Sequence, residues 1–143
     1  MLLNEKFSEF RARSFYLNGT LVCEVLVLFF KLENSQWCSL NIGEGVAVFS
    51  SDEPELEVEL NSSLGGDVDY PVMRIPALDD FVGKKIRRIF EYQIEGLDEG
   101  CVGIYFDCEV CGFSVVENNG CLSFVNGVSD FEGKVLLVEK DFN

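Results

Sequence analysis

The sequence predicts a mainly β protein, α+β with little helix. Its antiparallel sheet curls into a half-barrel or packs as a two-layer sandwich. Three observations predict this. Short apolar runs recur between turn signals, one run alternates apolar and acidic residues without a break, and Asn-Gly dipeptides separate runs at Asn18-Gly19 and Asn119-Gly120. At 143 residues the chain is read as a single domain, residues 1–143. A chain of that size buries about 68–70% of its unfolded surface, enough for a real core.

Element by element, Glu5–Arg13 is predicted as a short N-terminal amphipathic helix, because Phe7 and Phe10 stand at i, i+3 among charged neighbours. Asn18-Gly19 then turns Phe15–Leu17 back into Leu21–Leu32. That second arm is nearly all apolar and rich in β-branched residues, as a central strand covered on both faces would be; a buried helix is the competing reading. Asn34-Ser35 leads into Trp37–Ile42, and Gly43–Gly45 leads into Val46–Phe49. Glu55–Leu60 reads as a strand, with Leu56, Val58 and Leu60 on the core face and Glu55, Glu57 and Glu59 in solvent. Asn61–Pro76 reads as a long loop, Ala77–Val82 as one helical turn closed by Gly83. Short strands follow near Phe90–Ile94, at Val102–Phe106, Phe113–Val116, Leu122–Val125 and Val135–Val138.

Charge narrows the function. Eleven Lys+Arg against 25 Asp+Glu give a net charge of −14. That opposes nucleic-acid binding, where affinity comes from cations that displace counterions. The absence of histidine removes Ser-His-Asp and Cys-His nucleophile pairs and imidazole metal ligands. A mean hydropathy of +0.16 with 48% hydrophobic residues argues for a folded chain rather than a disordered one. The N-terminal residues lack a basic region followed by a long apolar run, and no apolar stretch approaches a membrane span. A cytoplasmic location with no membrane partner is expected, and with it six reduced or metal-bound cysteines.

The charges are also segregated. Leu32–Met73 and Ile89–Gly133 each contain nine acids and no Lys or Arg, whereas Lys84, Lys85, Arg87 and Arg88 fall within five residues. Glu55, Glu57 and Glu59 beside Asp52 and Glu53 make a concentrated negative patch that can speed encounter with a basic partner. A solvated strand face that discourages edge-to-edge aggregation is the alternative. The basic cluster is expected to neutralise neighbouring acids rather than to bind phosphate.

Cys108-Glu109-Val110-Cys111-Gly112 has the Cys-x-x-Cys-Gly form of a zinc knuckle, and Cys101 and Cys121 are the nearest candidates for a four-cysteine set. The same residues read first as small buried strand residues in a hairpin, with a zinc site next and, last, a redox dithiol whose acidic neighbours disfavour the thiolate. The pairs Asp79-Asp80 and Asp98-Glu99 are adjacent in sequence, so they cannot face one substrate from two environments as acid–base catalysis needs. No catalytic, cofactor-binding or metal residue is assigned.

Trp37–Leu60 and Leu78–Asn126 resemble immunity proteins of bacterial polymorphic-toxin systems. In particular, Leu78-Asp79-Asp80-Phe81-Val82-Gly83-Lys84-Lys85-Ile86, an acidic turn and short Gly-punctuated strands are similar to domains found in such settings. The resemblance implies a cytosolic, non-enzymatic protein that neutralises a cognate, basic, nuclease-like toxin by covering its active site or an essential surface. In that reading Asp52, Glu53, Glu55, Glu57 and Glu59 steer and pair with target Lys/Arg, and Trp37 or Phe49 supplies an apolar centre. The alternatives are a small-molecule-binding or enzymatic β-barrel, and a zinc-stapled interaction module.

Overall fold

The computed structural model describes residues 2–54 and 67–141. Glu55, Glu57 and Glu59, and the strand expected over Glu55–Leu60, lie outside the described residues. The first sheet is built from β1 (Phe7–Leu17), β2 (Thr20–Leu32), β3 (Trp37–Gly43), β4 (Val46–Ser50), β5 (Val68–Asp69) and β6 (Val72–Arg74). Its order is β4-β3-β2-β1-β5, with β6 also paired to β1. A 3-10 helix, Pro76–Phe81, then leads into the second sheet. This contains β7 (Arg88–Ile94), β8 (Cys101–Asp107), β9 (Gly112–Asn118), β10 (Cys121–Asn126) and β11 (Val135–Lys140), in the order β10-β9-β8-β7-β11. Both sheets are antiparallel, and they do not close into a barrel. The mainly β expectation therefore holds.

The N-terminal helix does not form: Phe7–Leu17 is strand β1. The helix-like spacing of Phe7 and Phe10 comes from a β-bulge. Phe7 pairs with Leu32 and Glu9 with Lys31, so two residues on β1 oppose one on β2. The extra residue shifts the alternation, and both phenylalanines turn inward at 0% and 2% exposure. The same device recurs on β2. Between the Arg13–Val27 and Phe15–Cys23 pairs, β2 spends four residues to β1's two, and Val25 and Leu28 both reach the core.

The expectation that β2 is covered on both faces holds for only part of it. Phe29 is buried on the outer face with Trp37 and Val72, while Leu21 and Val22 are 47% and 55% exposed. The reason is the partner strand: β3 pairs with β2 only over Leu28–Lys31. The expected loop before Pro76 also has more structure than its composition suggests. Val68–Asp69 and Val72–Arg74 pair with the free edge of β1, and Pro71 falls between them, where no ladder N–H is required.

Three hairpins turn through two residues of positive φ: Asn18-Gly19 (50°, 77°), Glu44-Gly45 (52°, 77°) and Asn119-Gly120 (54°, 81°). This is the type I′ pattern, whose twist matches that of the flanking strands. Gly45 has a second constraint. A Cβ there would overlap the Glu99 carbonyl, and the Gly45 carbonyl accepts the Cys101 N–H at 2.9 Å. The β3–β4 turn thus docks directly on the second sheet.

One core cluster draws on both sheets. Phe7, Phe10, Phe30, Leu28 and Leu40 meet Ile89, Ile104, Phe106, Phe113 and Val115. A disulfide, Cys23–Cys121, ties β2 to β10 across 98 residues of sequence, with Cα atoms 5.8 Å apart. This overturns the expectation that all six cysteines remain thiols or bind metal. Burial brings two cysteines from distant strands within bonding reach, and spacing along the chain carries no trace of that.

Candidate functional site

Of the surface carboxylates singled out from the sequence, Asp52 and Glu53 are described, and both are exposed. With Ser35, Gln36, Trp37 and Ser51 they line a cleft of about 270 Å³ between the β2–β3 turn and the end of β4. Local chemistry shapes this cleft. Ser35 adopts a positive φ of 71°, the Gln36 N–H donates to Asn34 Oδ1 at 2.9 Å, and Gln36 Nε2 donates to Ser51 Oγ at 3.4 Å.

Arg11 holds the inner wall. Its guanidinium lies 4.4 Å from the Trp37 ring centroid, and its Nη1 donates to the Pro54 carbonyl at 2.8 Å. Arg11 Nε and Arg74 Nε both meet Glu9 Oε2, at 2.6 and 3.2 Å. Arg11 is thus committed to packing and to Glu9. Among the described residues no Lys or Arg comes within ion-pair distance of Asp52 or Glu53.

The expected apolar centre is not an exposed one. Trp37 is 7% exposed, sealed by Arg11 above and by Phe29 and Val72 beside it. Phe49 faces the opposite side of the first sheet, with ring centroids 6.5 Å from Phe30 and 6.1 Å from Phe106. Its role is to anchor β4 to the core. The structure therefore brings Trp37, Asp52 and Glu53 together and sends Phe49 elsewhere. Strand parity explains the split, since Phe49 pairs with Leu40 on the inner face and Ser50 with Ser39 on the outer.

The basic cluster does what its neighbours require. Arg87 Nη2 pairs with Glu109 Oε2 and Arg88 Nε with Asp107 Oδ2, each at 3.0 Å. These exposed pairs are worth at most about 1 kcal/mol each.

The four-cysteine zinc set is not assembled. Cys121 is bonded to Cys23, and Cys101 opens β8 whereas Cys108 lies just beyond its other end, roughly 23 Å away at the rise of an extended strand. No group of three or more candidate ligands forms among the described residues. Burial, then the nearby Glu91 carboxylate, pushes the Cys101 thiol up to about 11. Burial, then Cys111 and Asp107, pushes Cys108 up to about 12. Cys38 is raised by burial as well. Only a thiolate reacts readily with an alkylating agent. Iodoacetamide at pH 8 should therefore label half-buried Cys111 ahead of Cys38, Cys101 and Cys108, as read by peptide mass mapping. Preferential labelling of Cys108 would contradict this. The folded state also favours the neutral thiols of Cys101 and Cys108. Their contribution to stability is complete below about pH 9 and lost as the pH rises through 11 and 12.

A larger concavity, about 480 Å³, opens between β2, the start of the 3-10 helix and β10. Val25, Ile75, Pro76, Leu122 and Phe124 give it apolar walls, and among the described residues Glu24 is its one charged lining residue. Sequence patterning does not single out this place, because its walls come from three segments that only the fold brings together. Elsewhere, Asp79, Asp80, Asp98 and Glu99 are exposed, as expected of solvated turns. No helix among the described residues is long and apolar enough to cross a membrane. No protein-family model, no curated protein and no solved structure matches the chain.

Proposed function

We propose that this protein is a non-enzymatic binding protein, an immunity protein that neutralises a basic, nuclease-like toxin by occluding its active site or an essential surface. The observation that carries this reading is the pair Asp52 and Glu53. Both carboxylates are exposed at the rim of a cleft and are left unpaired by any described cation, while Arg11, Arg87 and Arg88 neutralise acids elsewhere. Unpaired acids on a chain of net charge −14 attract a basic surface over a Debye length and reject an acidic one. The rival barrel reading needs a closed sheet around a ligand, and these two sheets stay open.

The proposal places the protein in the cytoplasm. The Cys23–Cys121 bond sets a condition on that, because disulfides persist in oxidising compartments and are rare in cytosolic proteins. Trapping thiols in the producing cell decides the compartment.

Tagged protein should capture, at one-to-one stoichiometry, a basic protein encoded by an adjacent gene. Replacing Asp52 and Glu53 together by lysine should then weaken the complex about ten-fold or more at low salt, mostly through a slower on-rate, with a smaller effect at 1 M salt. An unchanged on-rate, or the absence of any basic partner, would remove this reading.

A further inference from the structure

We propose that the groove between β2, the 3-10 helix and β10 docks an extended, basic segment of a partner protein. This rests on the reading of the protein as a binder of basic partners, and adds to it a second contact surface, remote in sequence from Asp52 and Glu53.

Three features point to an extended occupant. The first is a strand edge. Among the described residues β10 pairs only with β9. The two-residue Asn119-Gly120 turn makes Asn118–Cys121 a hydrogen-bonded pair, so Val116–Ser123 and Ser114–Val125 are hydrogen-bonded pairs too. The backbone N–H and C=O groups of Leu122, Phe124 and Asn126 therefore point away from β9. Leu122 is buried, but Phe124 is half-buried and Asn126 exposed, so the edge is accessible from Phe124 onward. An added strand can take its main-chain hydrogen bonds there.

The second feature is the wall chemistry. Half-buried Phe124, over a floor of buried Val25 and Leu122, forms an apolar seat beside that edge, and exposed Pro76 and Ala77 form the opposite bank. Strand addition draws affinity from the edge and specificity from such a seat, which accepts every second side chain of the incoming segment.

The third is charge. Among the described residues the one charged side chain in the lining is Glu24, which is exposed. An occupant with Lys or Arg next to its apolar anchor complements this rim. A second copy of a chain of net charge −14 does not. The Cys23–Cys121 disulfide joins β2 to β10 one residue from Glu24 and one from Leu122, so the seat side of the groove is tied together before anything binds.

The test uses the oxidised full chain and three labelled ten-residue peptides: alternating Lys and Val, the same ten residues as a Val block followed by a Lys block, and alternating Glu and Val. Fluorescence anisotropy should show the alternating Lys–Val peptide binding at least ten-fold tighter than either control. Its binding should shift the backbone amide resonances of Ser123 to Asn126. Ala77→Trp, which fills the groove from an exposed position, should weaken binding at least ten-fold. Glu24→Lys, also exposed, should weaken it about five-fold. Equal binding of the block peptide would reduce the effect to net charge and overturn the proposal. So would wild-type affinity in both variants.

The two proposals fail separately. If the peptide does not dock while Asp52/Glu53 reversal still impairs capture of a basic partner, the groove is rejected and the functional reading stands. If the peptide docks as described but no basic protein is captured, the functional reading fails and the groove remains.

Discussion

Replacing Phe7 by alanine is expected to cost about 3–5 kcal/mol, the range for removing a large aromatic side chain from a packed core. Phe7 is fully buried, and its ring contacts both layers. Ring centroids lie 4.9 Å away at Phe10 and 5.5 Å at Phe30 in the first sheet, and 5.6 Å at Phe106 and 5.7 Å at Phe113 in the second. The bulge that aims Phe7 inward fixes its backbone, and its carbonyl accepts the Gly83 N–H at 2.7 Å, so the site cannot collapse to refill the space. With total stabilities of about 5–15 kcal/mol, this one change removes a large share. Urea unfolding should show a lower midpoint at nearly unchanged slope. Phe7→Leu, which keeps most of the volume, should cost far less. A loss under about 1 kcal/mol for the alanine variant would mean that the two sheets do not share the Phe7 cluster.

Reduction of Cys23–Cys121, or its replacement by two serines, is expected to cost about 3–5 kcal/mol. The bond closes a loop of 98 residues, and chain entropy assigns about 4.7 kcal/mol to a loop near that length. For a chain of this size that corresponds to a fall of roughly 10–16 °C in the melting temperature. The bonded residues lie beside the core cluster rather than within its aromatic centre, so the reduced protein should still fold. Two measurements check this. Thermal unfolding with and without a reductant should differ by that shift, and thiol titration of the denatured chain should count four thiols before reduction and six after. Identical melting curves would contradict it.

Much of the fold is legible from local chemistry. Asn18-Gly19 and Asn119-Gly120 announce their hairpins because few residue pairs adopt two successive positive φ values. The runs at Val102–Phe106 and Phe113–Val116 announce β8 and β9 through composition. Glu5–Arg13 reads as a helix because a bulged strand and a helix both place i and i+3 on one face. Periodicity over so few residues does not separate them, and only pairing with β2 does. β5 and β6 leave no signal because two- and three-residue strands carry no pattern of their own and exist only against the open edge of β1.

The site divides along the same line. The acidic excess, the lack of histidine and the segregation of charge belong to the chain itself. Which carboxylates stay unpaired, on which face of the first sheet each aromatic packs, and which cysteines bond are decided by the tertiary fold. Trp37 is sealed by an arginine 26 positions away, Phe49 is set inward by strand parity, and Cys23 meets Cys121 across 98 residues. The physical reason is range. Turn dihedrals, alternation and net charge are written in residues a few positions apart. Burial, ion pairing, disulfide formation and the groove at β10 depend on contacts between distant segments, which arise only when the two sheets pack.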